Sequence, residues 1–509
     1  MERLMAWLLG TATRDDLDST SASVRVTLSE ALPQAKGTAP RMFRRLLMNV
    51  RSVCLVLVLC APLLAQSDCE APNVQLLRYE EDYGYLSNAR CRSDLMDSIK
   101  YLSIGRDEHL YLSIGGEIRE RFEYVNNPVW GLGPHDYDGY SLQRYMLHAD
   151  FHLSDSFRFF IQLKSGLEYG RAGGPRPPDR DTLDVNQAFA DVTLRTSTRG
   201  KLILRVGRQE MMYGSSRLVS VREGPNVHQT FDGARLSWLR RDWQIDAFAT
   251  KPVQTNTGIF DDSPDPSRWF WGVYAVRPFR ILPKGRIDLY YLGIDNKRVT
   301  FEKGIGREQR QSVGTRLWGS GGTWDYNYEG VLQWGRFGKG EIRAWTISSD
   351  NGYRIESLTF RPRLGLKADI ISGDRDPSSR TLGTFNALYP KGAYFSDADL
   401  IGPYNLIDIH PSIQLELASN LSLTPDADFF WRQSIHDGIY GVAGGLLIPG
   451  RSNTDRYIGA HTGLQMEWRV NRSLTLTGSY VHFFDGEFLK RATPGRQINF
   501  TAVYVAYKF

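Results

Sequence analysis

At 509 residues the chain is long enough for several soluble domains, but 12% aromatics and 48 glycines accompany an ordinary 41% of hydrophobic residues, a balance that suits alternating strands. No run of about 20 apolar residues follows residue 66, which excludes membrane-spanning helices. Residues 1–65 hold eight Lys/Arg and five Asp/Glu, so the formal charge of +5 falls to +2 without them, and a nucleic-acid-binding signature is excluded.

Residues 1–41 fit neither an export signal nor a fold, and are expected to be a mis-assigned or disordered extension ahead of a start at Met42 or Met48. Residues 42–65 (MFRRLLMNVRSVCLVLVLCAPLLA) have the basic stretch, short apolar run and small final residue of a secretory signal. Neither Cys60 nor Cys69 follows the small residues of a lipoprotein cleavage site, so no lipid anchor is expected. Cys54 and Cys60 leave with the signal; Cys69 and Cys91 remain, and in an oxidising compartment they can pair as a local clip. Residues 66–108 are mixed in pattern and read as a periplasmic lead-in that folds in part into the mouth of a barrel.

From residue 109 to the end the pattern is different. Leu202, Leu204 and Val206 point one way and Ile203, Arg205 and Gly207 the other. Ala234, Leu236 and Trp238 alternate with Gly233, Arg235 and Ser237. This is the period of a sheet that is apolar on one face and wet on the other. Such segments begin at Tyr111, Ser141, Phe157, Val185, Lys201, Asp232, Trp243, Trp269 and Gly285. The rest begin at Arg310, Trp324, Glu341, Pro362, Ile407, Leu421, Tyr457, Ser473 and Ile498. About 18 strands, an even number, predict an all-β fold: a single transmembrane antiparallel β-barrel of the outer-membrane type. A large secreted β-protein or multi-domain sandwich is the competing reading, and the even spacing disfavours it.

Tight turns at Ser154–Ser156, Thr198–Gly200, Arg241–Asp242, Ser419–Asn420 and Val470–Arg472 alternate with long connections at 126–140, 170–183, 211–230, 252–267, 374–406 and 434–456. That asymmetry is expected of short periplasmic turns and longer outer loops. The final strand ends on Phe509, a terminus of the kind the barrel assembly machinery reads.

If the apolar phase faces lipid, the other phase lines the lumen. It carries Arg119, Arg121, Arg144, Lys164, Arg205, Arg235, Arg316, Arg363, Lys367 and Arg432 as cations. Glu117, Glu123, Asp150, Asp246, Glu329, Asp369 and Glu467 are their charge partners. A charge facing lipid at the midplane costs about 2–4 kcal/mol, which forces most of this assignment. The charges serve either as Arg–carboxylate pairs that hold the lumen's shape or as a basic constriction that selects an acidic solute. Nine histidines show no metal-ligand spacing and no Ser-His-acid group stands out, so neither a metal, a cofactor nor catalysis is expected.

Three passages resemble the outer-membrane alginate export proteins: LLRYEEDYGYL with DSIKYLSIG, then YLSIGGEIRERFEY, then LRVGRQEMMYGSSRLVSV with TFDGARLSW. The resemblance implies a monomeric barrel of about 18 strands in the bacterial outer membrane, with an arginine-lined channel conducting a polyuronate outward. Arg119 and Arg121 in GEIRER, Arg208 in VGRQ, Arg217 in YGSSR and Arg235 in FDGAR match its motifs. Arg208 falls in the lipid phase of its strand, so either the strand ends at Gly207 or a bulge re-aims it.

The resulting expectation is a passive channel for an anionic polysaccharide or other acidic solute, with 211–230 and 374–406 as gates. Its partners would be outer-membrane lipid, the solute and, on the inner side, periplasmic export proteins. A general or small-acid uptake porin is the alternative within transport. An outer-membrane enzyme or adhesin acting through its long loops is the alternative from another class.

Overall fold

The computed structural model describes Cys69 and residues 73–105, 109–197 and 200–509. The expected extension and signal peptide, and the turn at Thr198–Arg199, lie outside these residues.

Eighteen long strands form the wall. They are β1 Tyr111–Val125, β2 Tyr140–Ser154, β3 Phe157–Tyr169, β4 Asp181–Ser197, β5 Gly200–Gln209 and β6 Phe231–Arg240. Next come β7 Trp243–Gln254, β8 Arg268–Pro278, β9 Arg286–Phe301, β10 Gly304–Gly321, β11 Trp324–Phe337 and β12 Gly340–Arg354. The last are β13 Arg363–Ile371, β14 Leu406–Ala418, β15 Leu421–Arg432, β16 Tyr457–Arg469, β17 Leu474–Asp485 and β18 Ile498–Lys508. Each pairs antiparallel with its neighbours, and β1 pairs with β18 from Glu117↔Lys508 to Val125↔Phe500, which closes the barrel. Closure leaves the wall no open edge.

The alternation read from the sequence appears as an inside-out surface. Leu147 is 52% and Val206 53% exposed, with Leu332, Ile347, Leu366 and Val503 equally bare on the outside, while Arg144, Asp150, Arg205 and Glu329 are buried within. Only lipid makes such an arrangement favourable. One rim carries the short turns and the other the long connections, except that residues 302–303 and 338–339 make two tight turns on the long-loop rim. Because of the first of these, β10 starts at Gly304, several residues before the Arg310 expected from the pattern.

Residues 73–105 dock at the short-turn mouth. Arg78 donates to the main-chain oxygens of Gly116 (2.9 Å) and Phe509 (2.8 Å), and so grips both sides of the β1–β18 seam. Tyr79 enters the lumen edge-on to Phe160 and Phe189, and its hydroxyl donates to the Glu210 carbonyl at 3.1 Å. A disulfide joins Cys69 and Cys91.

Candidate functional site

The lumen is not empty. Residues 210–230, between β5 and β6, and 372–405, between β13 and β14, turn inward and lie against each other. Tyr389 N–H donates to Leu218 O (2.9 Å) and Lys391 N–H to Ser216 O (3.0 Å), with a parallel bridge from Val219 to Tyr389. An aromatic wall receives them: Tyr213 stacks on Tyr274 at 4.8 Å, and Tyr274 on Tyr290 at 5.1 Å. Gly214 holds φ +61, and a Cβ there would meet the Tyr274 hydroxyl at 2.4 Å, so this contact needs glycine.

Charges then fix the segments to the wall. Arg144 donates to Glu117 (2.6 Å) on the wall and Glu223 (2.6 Å) on the first segment, and contacts His228 Nε2 at 2.8 Å. Arg119 has no carboxylate; it donates to the carbonyls of Glu223 (2.9 Å) and Pro225 (3.0 Å). Arg217, carried in by the first segment, donates to Asp369 (2.7 Å) and Tyr394 (2.8 Å) and lies 3.5 Å from Glu329, which accepts from Ser215 and Tyr290.

The other expected lumen residues divide by partner. Arg121 donates to Glu123 at 2.5 Å, and Lys164 bridges Asp181 and Asp262 at 2.8 Å each. Arg205 grips Asp191 with two donors and covers the Tyr79 ring at 4.0 Å. Asp150 takes Arg158, and Arg316 reaches Asn327 (2.8 Å) and Asp288 (3.1 Å). Arg235 approaches only the Tyr79 hydroxyl, at 3.4 Å, with Asp246 buried on the next strand. Lys367 lies half-buried beside Lys391, and among the described residues its ammonium has no hydrogen-bond partner.

Four expected positions lie elsewhere. Arg432 is spent inside the outer segment 433–456, donating to the carbonyls of Ile435, Asp437, Gly450, Asn453 and Asp455. Arg363 (on Asp325) and Glu467 (on Arg469) belong to the short-turn rim. Arg208 stands half-buried at the long-loop end of β5, which continues to Gln209 without a register shift against β6, so the strand does not end at Gly207 and no bulge interrupts this ladder. Instead carboxylates come to it, Asp232 directly across the ladder at 2.9 Å and Asp184 at 3.5 Å.

Two spaces remain beside the seated segments. On the long-loop side is a vestibule of about 890 Å³ whose charged lining includes Arg121, Arg171, Arg176, Arg222 and Arg268 against Glu123, Asp265, Asp397 and Asp399. Burial pushes Asp399 up to about 7 despite Arg176 and Arg222, and raises Asp397 despite Arg121. Asp399 therefore holds its proton well above the usual carboxylate range and Asp397 is shifted in the same direction, so the arginines outweigh them. On the short-turn side a smaller space of about 250 Å³ touches Arg217, Lys367, Asp369 and Lys391. Burial, reinforced by Lys367 and Arg217, pushes the Lys391 ammonium down to about 7. Arg171, Arg176, Arg222 and Lys391 were missed in the sequence because they lie in connections without strand phase.

Solved structures share this architecture. The crystal structure of Pseudomonas aeruginosa OccK8 (OprE) superposes with TM-score 0.52 at 11% identity, over 78% of this chain and 98% of that one. Acinetobacter baumannii OccAB1 gives 0.52 at 13%, over 81% and 99%. Pseudomonas aeruginosa OccK2 (OpdF), solved with glucuronate, gives 0.50 at 14%, over 78% and 98%. At these identities the likeness shows the fold. No curated protein matches the sequence. The profile of the alginate export family matches residues 110–503, from the first strand into the last. The chain belongs to the alginate export family, as an outer-membrane β-barrel channel.

Proposed function

We propose that this channel passes acidic saccharides, an alginate-like polyuronate or its uronate units, down their gradient, and that segments 210–230 and 372–405 seated in the lumen are its closed state. The vestibule carries the reading: five arginines converge there while Asp397 and Asp399 are drawn toward their neutral forms. Guanidinium groups present planar paired donors that match a carboxylate, and a surplus of them favours anions over neutral sugars. Arg119, held only by carbonyls, and Lys367 place further positive charge on the wall beside the seated segments.

Family membership favours the polymer. The OccK2 (OpdF) structure with glucuronate, a carboxylate, favours a second reading in which single acids are taken up. Swelling of proteoliposomes separates these. Glucuronate is expected to enter faster than glucose, the preference to vanish in Arg222→Ala/Arg268→Ala, and added polyuronate to slow entry. A preference for glucuronate without polyuronate block would favour the small-acid reading, and equal entry of glucose and glucuronate would contradict both.

A further inference from the structure

Away from the vestibule, three neighbouring strands bring a second set of groups to the inner face. β14 supplies Asp408 and His410, β15 supplies Asp426 and Asp428, and β16 supplies His461, which stands directly across the ladder from Asp428. One ligand atom each from His410, Asp428 and His461 lie within 4.8 Å of one another. His410 Nε2 is 2.7 Å from Asp426 Oδ2, while its Nδ1 faces Asp428 Oδ2 at 3.2 Å.

These carboxylates lack what a buried carboxylate needs. Asp428 is 0% exposed and neither of its oxygens accepts a hydrogen bond; Oδ1 of Asp408, 1% exposed, accepts none either. Burying a charged oxygen without a donor is costly, and native structures meet that cost with a partner, a water or an ion. Lys367 is opposite His410 in the β13–β14 register but makes no hydrogen bond to them. The inward segment seals the place: Phe395 packs edge-on against Phe430 at 5.3 Å, and Phe430 lies 5.6 Å from His461.

We infer that His410, Asp428 and His461 bind a divalent transition-metal ion, with Asp426 as a positioning residue. Two imidazoles and a carboxylate suit zinc, nickel or copper and disfavour magnesium and calcium, which want oxygen ligands. Asp426 accepting from His410 Nε2–H leaves the Nδ1 lone pair aimed at the Asp428 side, the usual carboxylate–histidine–metal order. Three protein ligands leave a fourth position for water or Asp408. The inference stands independently of which solute the channel passes.

The test uses the folded barrel in detergent, stripped with chelator and dialysed against zinc alone, with Co²⁺ absorption as a second readout. One zinc per chain is expected. Asp426→Asn should weaken binding about 10–100-fold, and His410→Ala/His461→Ala should abolish both zinc retention and the cobalt bands. Heat-modifiable gel mobility confirms that each variant is folded, and Asp428→Asn replaces the double variant if that one is not. No stoichiometric zinc in the wild type, or full retention by a folded ligand variant, would overturn the inference.

Discussion

Arg144 on β2 and Glu223 on segment 210–230 meet at 2.6 Å, and the same guanidinium holds Glu117 on the wall at 2.6 Å. One side chain therefore ties the barrel to the segment that fills it. Arg144→Ala leaves buried Glu117 with only the more distant Lys508 ammonium, at 3.7 Å, and losing one partner of a buried pair costs up to about 3–5 kcal/mol. The expected outcome is release of the segment, read as higher open-channel conductance and faster proteolysis within 210–230. Glu223→Gln keeps the Arg144–Glu117 pair and should give the same change more weakly.

Arg217 is the second anchor, on Asp369 at 2.7 Å. Arg217→Ala should likewise raise conductance. Combined with Arg144→Ala it should add less than the sum of the two, because both act on one segment. Single-channel recording of the three variants measures this.

Seating should depend on pH in both directions. Asp399, ordinarily near 3.8, is pushed up to about 7 by burial, so from about 4 to 7 the seated state holds a proton that the released state has lost. Seating therefore weakens as pH rises through that window, and Asp397, raised by burial, acts the same way. Lys391, ordinarily near 10.5, is pushed down to about 7 by burial, so from 7 upward the released state holds the extra proton and seating strengthens with pH. Each pH unit inside a window changes the seated-to-released ratio by up to about tenfold. Conductance should peak near neutral pH. Asp399→Asn should flatten the acid side of that profile and Lys391→Met the alkaline side.

The motif glycines in VGRQ and FDGAR face each other across the β5–β6 ladder. Gly207 holds φ +133, and a Cβ there would lie 2.2 Å from the Ala188 carbonyl oxygen. Gly207→Ala combines a clash with backbone strain of about 1–3 kcal/mol, so the folded band on a heat-modifiability gel should convert at lower temperature than in the wild type.

The wall was legible in the sequence because its cause is local. Alternation around Leu202–Val206 or Ala234–Trp238 is imposed by lipid on one side and water on the other, and it located every strand. The filling of the lumen was not legible, because it depends on contacts such as Val219 with Tyr389, far apart in sequence and in segments without phase. For the same reason the scattered His410 and His461 gave no ligand spacing; only the β14–β15–β16 register brings them to Asp428. Arg208 falls in the lipid phase of its strand, but it meets Asp232 across the ladder and Asp184, a buried residue opposite Lys164, partners that strand phase does not reveal. Arg432 had the inward phase, but the carbonyls of its own outer loop claim it.

Planar-bilayer recording under a salt gradient, with polyuronate added to the long-loop side, bears most directly on an acidic-solute channel closed by its own loops. The expected result is a small anion-selective current in the wild type, a larger one in Arg144→Ala, block of both by polyuronate, and lost selectivity in Arg222→Ala/Arg268→Ala. A cation-selective or unselective current, unchanged by these substitutions and indifferent to polyuronate, would contradict it and leave the arginines as scaffolding for the barrel.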